Sequence, residues 1–196
     1  MLGLPKATEL NEPLPKKAIY MKFGMSNAAK EKFDGEVSMI VIAGEIFPAA
    51  VSIAAGAEIP AIFVLLISLK RKDYDPRTVA QPSKLIDRKM LLVLEFEGQQ
   101  RLAIYHNKLM ESPWQTDCKV TLTGLDLDAV WENLIQQVGG FTVSDGRTLD
   151  QQIEADEHRA RITREIQKPE KLARAEKQLR KKFELVQKIK ALEAEL

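Results

Sequence analysis

Three carboxylates lie on stretches of strand character: Glu45, Glu95 and Glu97. A restriction-type nuclease core uses strand-borne acids with a nearby lysine to hold magnesium and activate water. The pattern here is incomplete. Glu95-Phe96-Glu97 has no lysine at the required place, and the run ending at Lys70 carries Ser68 where an acid is needed. Glu95 and Glu97 share one parity, so the plainer reading puts both at the solvated end of a strand. His106 and His158 are too few and too far apart to suggest a triad or a metal pair. Cys118 beside Lys119 could carry a lowered thiol pKa, but no histidine is near it in sequence, and a buried structural thiol is the simpler reading. Gly139-Gly140 lacks the lysine and the strand of a phosphate loop. No catalytic residue, metal site or cofactor is assigned from these residues.

The basic residues are more suggestive. The formal net charge is only +1, but the charges are clustered. Lys70 to Lys89 holds seven Lys or Arg against three Asp, and Lys171 to Lys190 holds eight against two Glu. The first cluster brackets two runs read as adjacent strands. Lys70, Arg71, Lys72, Arg88 and Lys89 are therefore expected to converge on one sheet edge, where they could contact nucleic-acid phosphates. The competing reading is a solvated rim that keeps the strand ends soluble. The second cluster reads equally as the polar face of a coiled coil.

The elements that must position these groups are organised around Lys84 to Asn107. An apolar run, Met90 to Leu94, continues into Glu95-Phe96-Glu97; Gly98-Gln99-Gln100 breaks the pattern, and Arg101 to His106 alternates. This predicts a β-hairpin whose first arm is a central strand covered on both faces. Ile59 to Leu69 is the second strong strand, and Glu36 to Phe47 begins the sheet. Short strand pieces are expected at Val51–Ile53 and Lys119–Leu122. Residues 1–14, with Pro5 and Pro13, read as an extended arm. Helices are expected over Lys16–Phe23, over Asn27–Phe33 with Ser26 as N-cap, and over Leu127–Val138 with Asp126 as N-cap. The last should pack on the sheet through Trp131 and Leu134.

From Thr148 the chain is dense in Glu, Lys, Arg, Gln and Ala. A stripe of Leu172, Ala175, Leu179, Phe183, Val186, Ile189 and Leu196 predicts a helical extension of coiled-coil character, bent or kinked at Pro169. Its apolar surface is too small for it to stand alone, so it should pack on the domain, on itself as a helical hairpin, or on another chain. Leu172, Leu179, Phe183, Val186 and Ile189 are the candidate partner-binding residues. The expected architecture is thus α+β: a mostly antiparallel sheet with packed helices in residues 1–146, and a helical tail in residues 147–196.

A single cysteine excludes an intramolecular disulfide and a multi-cysteine zinc site. The N-terminal stretch has no apolar core of signal-peptide length, and Ile59–Leu69 is too short to span a bilayer as a helix. These features predict a cytoplasmic protein without a membrane partner.

Several blocks together carry a resemblance. Leu4-Pro5-Lys6, Pro15 to Tyr20, Gly44 to Pro48, Leu69 to Asp75, Lys89 to His106 and Leu127 to Leu134 resemble an uncharacterised bacterial and archaeal family, domain of unknown function 4391. The resemblance covers nearly the whole chain and brings no catalytic residues. It implies a context, since members tend to be encoded beside DNA helicases and DNA methyltransferases of restriction or phage-defence type. The reading that follows is a non-catalytic accessory protein that binds such a partner, with DNA as a further candidate ligand. A divergent magnesium nuclease and a self-assembling module, homodimeric through its tail, are the alternatives.

Overall fold

The computed structural model describes residues 2–195, so Leu196 of the apolar stripe lies outside the described residues. The chain divides into two compact units, Met1–Phe141 and Thr142–Leu196. No helix among the described residues is long and apolar enough to cross a membrane.

The first unit is built on one six-stranded sheet whose spatial order follows the chain: β1 (Glu9–Pro13), β2 (Val37–Ile46), β3 (Ile62–Leu69), β4 (Lys89–Phe96), β5 (Gln99–His106) and β6 (Lys108–Glu111). Every neighbouring pair is antiparallel except β3 and β4, which run parallel. The fold is α+β, with the three strong strands adjacent as expected. Met90 to Leu94 are buried without a break, because helices cover both faces of β4. On one face Leu65, Ile67, Leu92 and Leu94 meet Ile19 of α1 (Lys16–Lys22) and Phe33 of α2 (Asn27–Glu36). After α3 (Pro48–Val51), helix α4 (Pro76–Ala80) adds Val79 to that core. Helix α5 (Leu127–Gly139) packs against β5 and β6, burying Trp131 and Leu134 as predicted. Its cap is also as read, with Asp126 accepting from the Ala129 N–H at 2.9 Å.

Four local expectations fail for identifiable reasons. Pro48 sits in the first turn of α3, so Val51 is helical, and the chain leaves through Ser52 at φ 56° rather than through a strand. Helix α2 continues past Asp34-Gly35 to Glu36; Asp34 is held by Lys16 and by the Tyr20 hydroxyl, each at 2.7 Å. The hairpin turn is Glu97-Gly98, both at positive φ, so Gln99 and Gln100 belong to β5. The last strand is β6, which Asn107 opens by reversing the chain at φ 59°, and not Lys119–Leu122. There Val120 donates to the Leu2 carbonyl, and the Thr121 backbone exchanges two hydrogen bonds with the Gln137 side chain.

The second unit holds α6 (Leu149–Ala175) and α7 (Leu179–Glu193), which pack against each other as a helical hairpin. Thr148 and Gln151 form a capping box at the start of α6. Pro169 does not interrupt the helix. Pro169 is accommodated inside α6, and the chain turns at residues 176–178, where Glu176 adopts an extended conformation and accepts from the Gln178 N–H at 2.8 Å.

Leu92 lies at the centre of the first unit's core, fully buried. Leu92→Asp places an unpaired carboxylate there and is expected to lower stability by about 3 kcal/mol or more, read as a collapse of the urea midpoint.

Candidate functional site

The parallel pairing of β3 and β4 decides where the basic residues go. Ile62 stands beside Lys89 and Ser68 beside Glu95. Lys70, Arg71 and Lys72 therefore leave the end of β3, whereas Arg88 and Lys89 enter at its beginning. The length of the strand, roughly 23 Å at ~3.3 Å per residue, lies between them. The five do not converge. The same register separates the strand acids: Glu45 is opposite Phe63 at one end of β3, and Glu95 is opposite Ser68 at the other. Glu97 lies in the hairpin turn. Among the described residues no three His, Cys, Asp or Glu are grouped to hold a metal ion.

At the Lys70 end, Arg71 and Lys72 are engaged within the fold. Glu36 is 1% exposed, and it accepts from Arg71 Nη2 at 2.6 Å and from the Asp75 N–H at 3.2 Å. Burial is the largest influence on its pKa and pushes it up. Hydrogen bonds from Thr78, Arg71 and Asp75 together outweigh burial, and the carboxyl lies below the ordinary glutamate range. Lys72 donates to Gln99 at 2.9 Å and, like Arg101, faces the Trp114 ring. Arg101 also bridges Tyr74 and Glu111. Burial first, and then the bond to Glu111, push the Tyr74 hydroxyl up. Cys118 is buried and its thiol is likewise raised, by burial and then by Asp117, so the lowered thiol considered from its lysine neighbour is not found.

The opposite end is built differently. The starts of β3 and β4, with the segments leading into them, enclose a cavity of about 530 Å³. One wall is the loop ahead of β3, clamped by α5. Asp128 accepts from the backbone N–H groups of Ala57, Glu58 and Ile59 at 2.7, 3.2 and 2.8 Å. Gly56 is required there, since a Cβ would lie 2.1 Å from Asp128 Oδ1. Trp131, one helical turn along α5, lines the same cavity. The facing wall is the 3-10 turn Pro82–Lys84 and the segment leading to Lys89. Lys84 Nζ stands 4.0 Å above the Tyr105 ring, and Lys89 Nζ stands 6.0 Å from the Trp131 ring.

Four cations, Lys22, Lys84, Arg88 and Lys89, line this cavity against two carboxylates, Glu58 and Asp87. Among the described residues none of the four lies within ion-pair distance of a carboxylate. Sequence reading found Arg88 and Lys89 but missed Lys22, Lys84 and Tyr105, and took Trp131 for core alone. The missed signal is the length of the chain between β3 and β4, residues 70–88. It is far longer than a hairpin needs and ample for a crossover between parallel strands.

In the helical hairpin the five candidate partner-binding residues divide. Val186 and Ile189 are half-buried, at the spacing of a face turned to α6. Leu172, Leu179 and Phe183 are exposed, the last two by 85% and 63%.

A family model described as Domain of unknown function (DUF4391) matches residues 2–196, and the chain belongs to that family. No curated protein and no solved structure matches the chain.

The Glu36 cluster makes a stability prediction. A carboxylate held below its unfolded pKa contributes stability that is complete above the ordinary glutamate pKa and is lost as pH falls through the folded value. Glu36→Gln should flatten the acid limb of the stability–pH curve. Arg71→Met should cost about 1–2 kcal/mol, the low part of the range for a buried acceptor losing a partner, because Arg71 is itself largely in water. Urea titrations across acid and neutral pH read both effects.

Proposed function

We propose that this member of the DUF4391 family is a non-catalytic accessory protein of a bacterial DNA-processing assembly of restriction-modification or phage-defence type. Its α+β unit engages nucleic-acid phosphates through the basic cavity, and its helical hairpin docks on the helicase or DNA methyltransferase encoded beside it. The observation that carries the reading is the set of four cations at the cavity without carboxylate partners. Cations already paired lose that partner when they bind a phosphate, whereas unpaired ones displace only counterions. The exposed row on the hairpin supports the second half. Helix α7 has no buried residue, and Leu179 and Phe183 stand in water among basic side chains. Apolar groups of that size are each worth roughly 1.5–3 kcal/mol on burial, which a partner surface would supply.

The second reading, self-assembly through the tail, draws on the same exposed row, and one experiment separates the two. Leu179→Glu with Phe183→Glu should abolish co-purification with the co-expressed neighbouring helicase or methyltransferase and leave DNA binding unchanged. Loss of a homodimer in light scattering, with partner binding intact, would favour self-assembly instead.

For the nucleic-acid half, neutralising about three phosphates should weaken binding roughly 40-fold between 50 and 200 mM salt. Lys84→Glu with Arg88→Glu should remove most of that dependence, as measured by fluorescence anisotropy. Salt-independent binding, or none with or without the partner, would reduce the cations to a solubilising rim.

A further inference from the structure

Trp131, whose side chain lines the cavity, carries a buried polar atom without a partner. Trp131 is 4% exposed, and its indole Nε1–H has no hydrogen-bond acceptor. An indole nitrogen is a donor only, so it can be satisfied only by an acceptor brought to it. The nearest carboxylate on the same helix face, Asp128, is already occupied by three backbone N–H groups. Buried donors left unpaired in a native fold are uncommon, and this one belongs to a residue of the cavity lining. Around it stand the ammonium groups of Lys84 and Lys89, each held over an aromatic ring, and the Arg88 guanidinium.

We infer that the cavity is a binding site for a phosphomonoester of a nucleoside, presented either as a free nucleotide or as the phosphorylated end of a strand. A phosphomonoester has the oxygen acceptors that Trp131 Nε1 lacks, and a near-dianionic charge suited to the cation surplus. The volume of about 530 Å³ lies within the range of small-molecule sites and holds one nucleotide unit. The half-buried Tyr105 ring gives the nucleoside an apolar wall. The site keeps its shape without a ligand because Asp128 fixes the Ala57–Ile59 loop through backbone groups alone.

This inference rests on the nucleic-acid half of the proposed function and fails separately from it. The direct reporter is the Trp131 indole N–H resonance in nitrogen-15 spectra of the full chain, distinguished from that of Trp114 with a Trp114→Phe variant. Adenosine 5′-monophosphate should shift the Trp131 signal and leave the Trp114 signal in place, while adenosine should shift neither. A short oligonucleotide with a 5′-phosphate should bind at least about tenfold tighter than the same strand with a 5′-hydroxyl. Trp131→Phe keeps an aromatic ring and removes the donor, and Lys89→Ala leaves the core untouched. Each should weaken adenosine 5′-monophosphate binding by about tenfold, with a thermal midpoint close to wild type for Lys89→Ala. A response to the mononucleotide with no preference for the phosphorylated strand identifies the free nucleotide as the source. A response to the phosphorylated strand alone identifies the strand end. Equal binding of the two strands, together with no Trp131 shift on adding the mononucleotide, overturns the site and leaves salt-dependent DNA binding standing.

Discussion

The buried carboxylate of Glu36 is the interaction on which the first unit's arrangement depends. It ends α2, its own carbonyl accepts from the Lys70 N–H at 2.8 Å, and its side chain receives Arg71, Asp75 and Thr78. These bonds fix the chain as it leaves β3 and send it across the sheet face through α4. A carboxylate with so little exposure is tolerable only when its oxygens are occupied, so the crossover and the charge stabilise each other. The crossover in turn makes β4 parallel to β3, and parallel pairing sends the two halves of the basic cluster to opposite ends of the sheet.

The two ends then differ in how their cations are used. At the end of β3, Arg71 holds Glu36, Lys32 holds Asp75 at 2.5 Å, and Arg101 holds Glu111 at 3.2 Å. These charges are part of the fold, and Arg71 in particular cannot be reversed without placing a second acid against a buried one. At the beginning of β3 and β4, Lys84 and Lys89 stand over aromatic rings and have no carboxylate partner. A cation over a ring keeps its charge available to an incoming anion while its stem is positioned. The distinction between a structural and a binding role lies in these partners and not in the residue type, which is lysine or arginine at both ends.

The central strand was legible in the sequence because Met90 to Leu94 leave no polar parity, and the caps of α2 and α5 because Ser26 and Asp126 stand immediately ahead of helical patterns. Strand direction was not legible. Ile62–Leu69 has the same alternation and composition whichever way its neighbour runs, and only the length of the following connection carried the information. Asn107 hid β6, since a one-residue reversal leaves no cluster of turn formers. Pro169 misled because it removes one N–H without forcing a helix to end when the rest of the turn is supported. The cavity was only half legible. Its residues come from α1, the loop before β3, the crossover, β5 and α5, and no spacing within one segment joins Lys84 to Tyr105 or Lys89 to Trp131.

The central claim is that one end of the sheet, and not the other, meets nucleic-acid phosphate. It is tested most directly by lysine footprinting: amine labelling of the full chain with and without a saturating oligonucleotide, read by mass spectrometry at each lysine. Lys84 and Lys89 are predicted to be protected by the strand, with Lys70 and Lys72 labelled equally in both states. Protection of Lys70 and Lys72 with Lys84 and Lys89 unchanged would contradict the account.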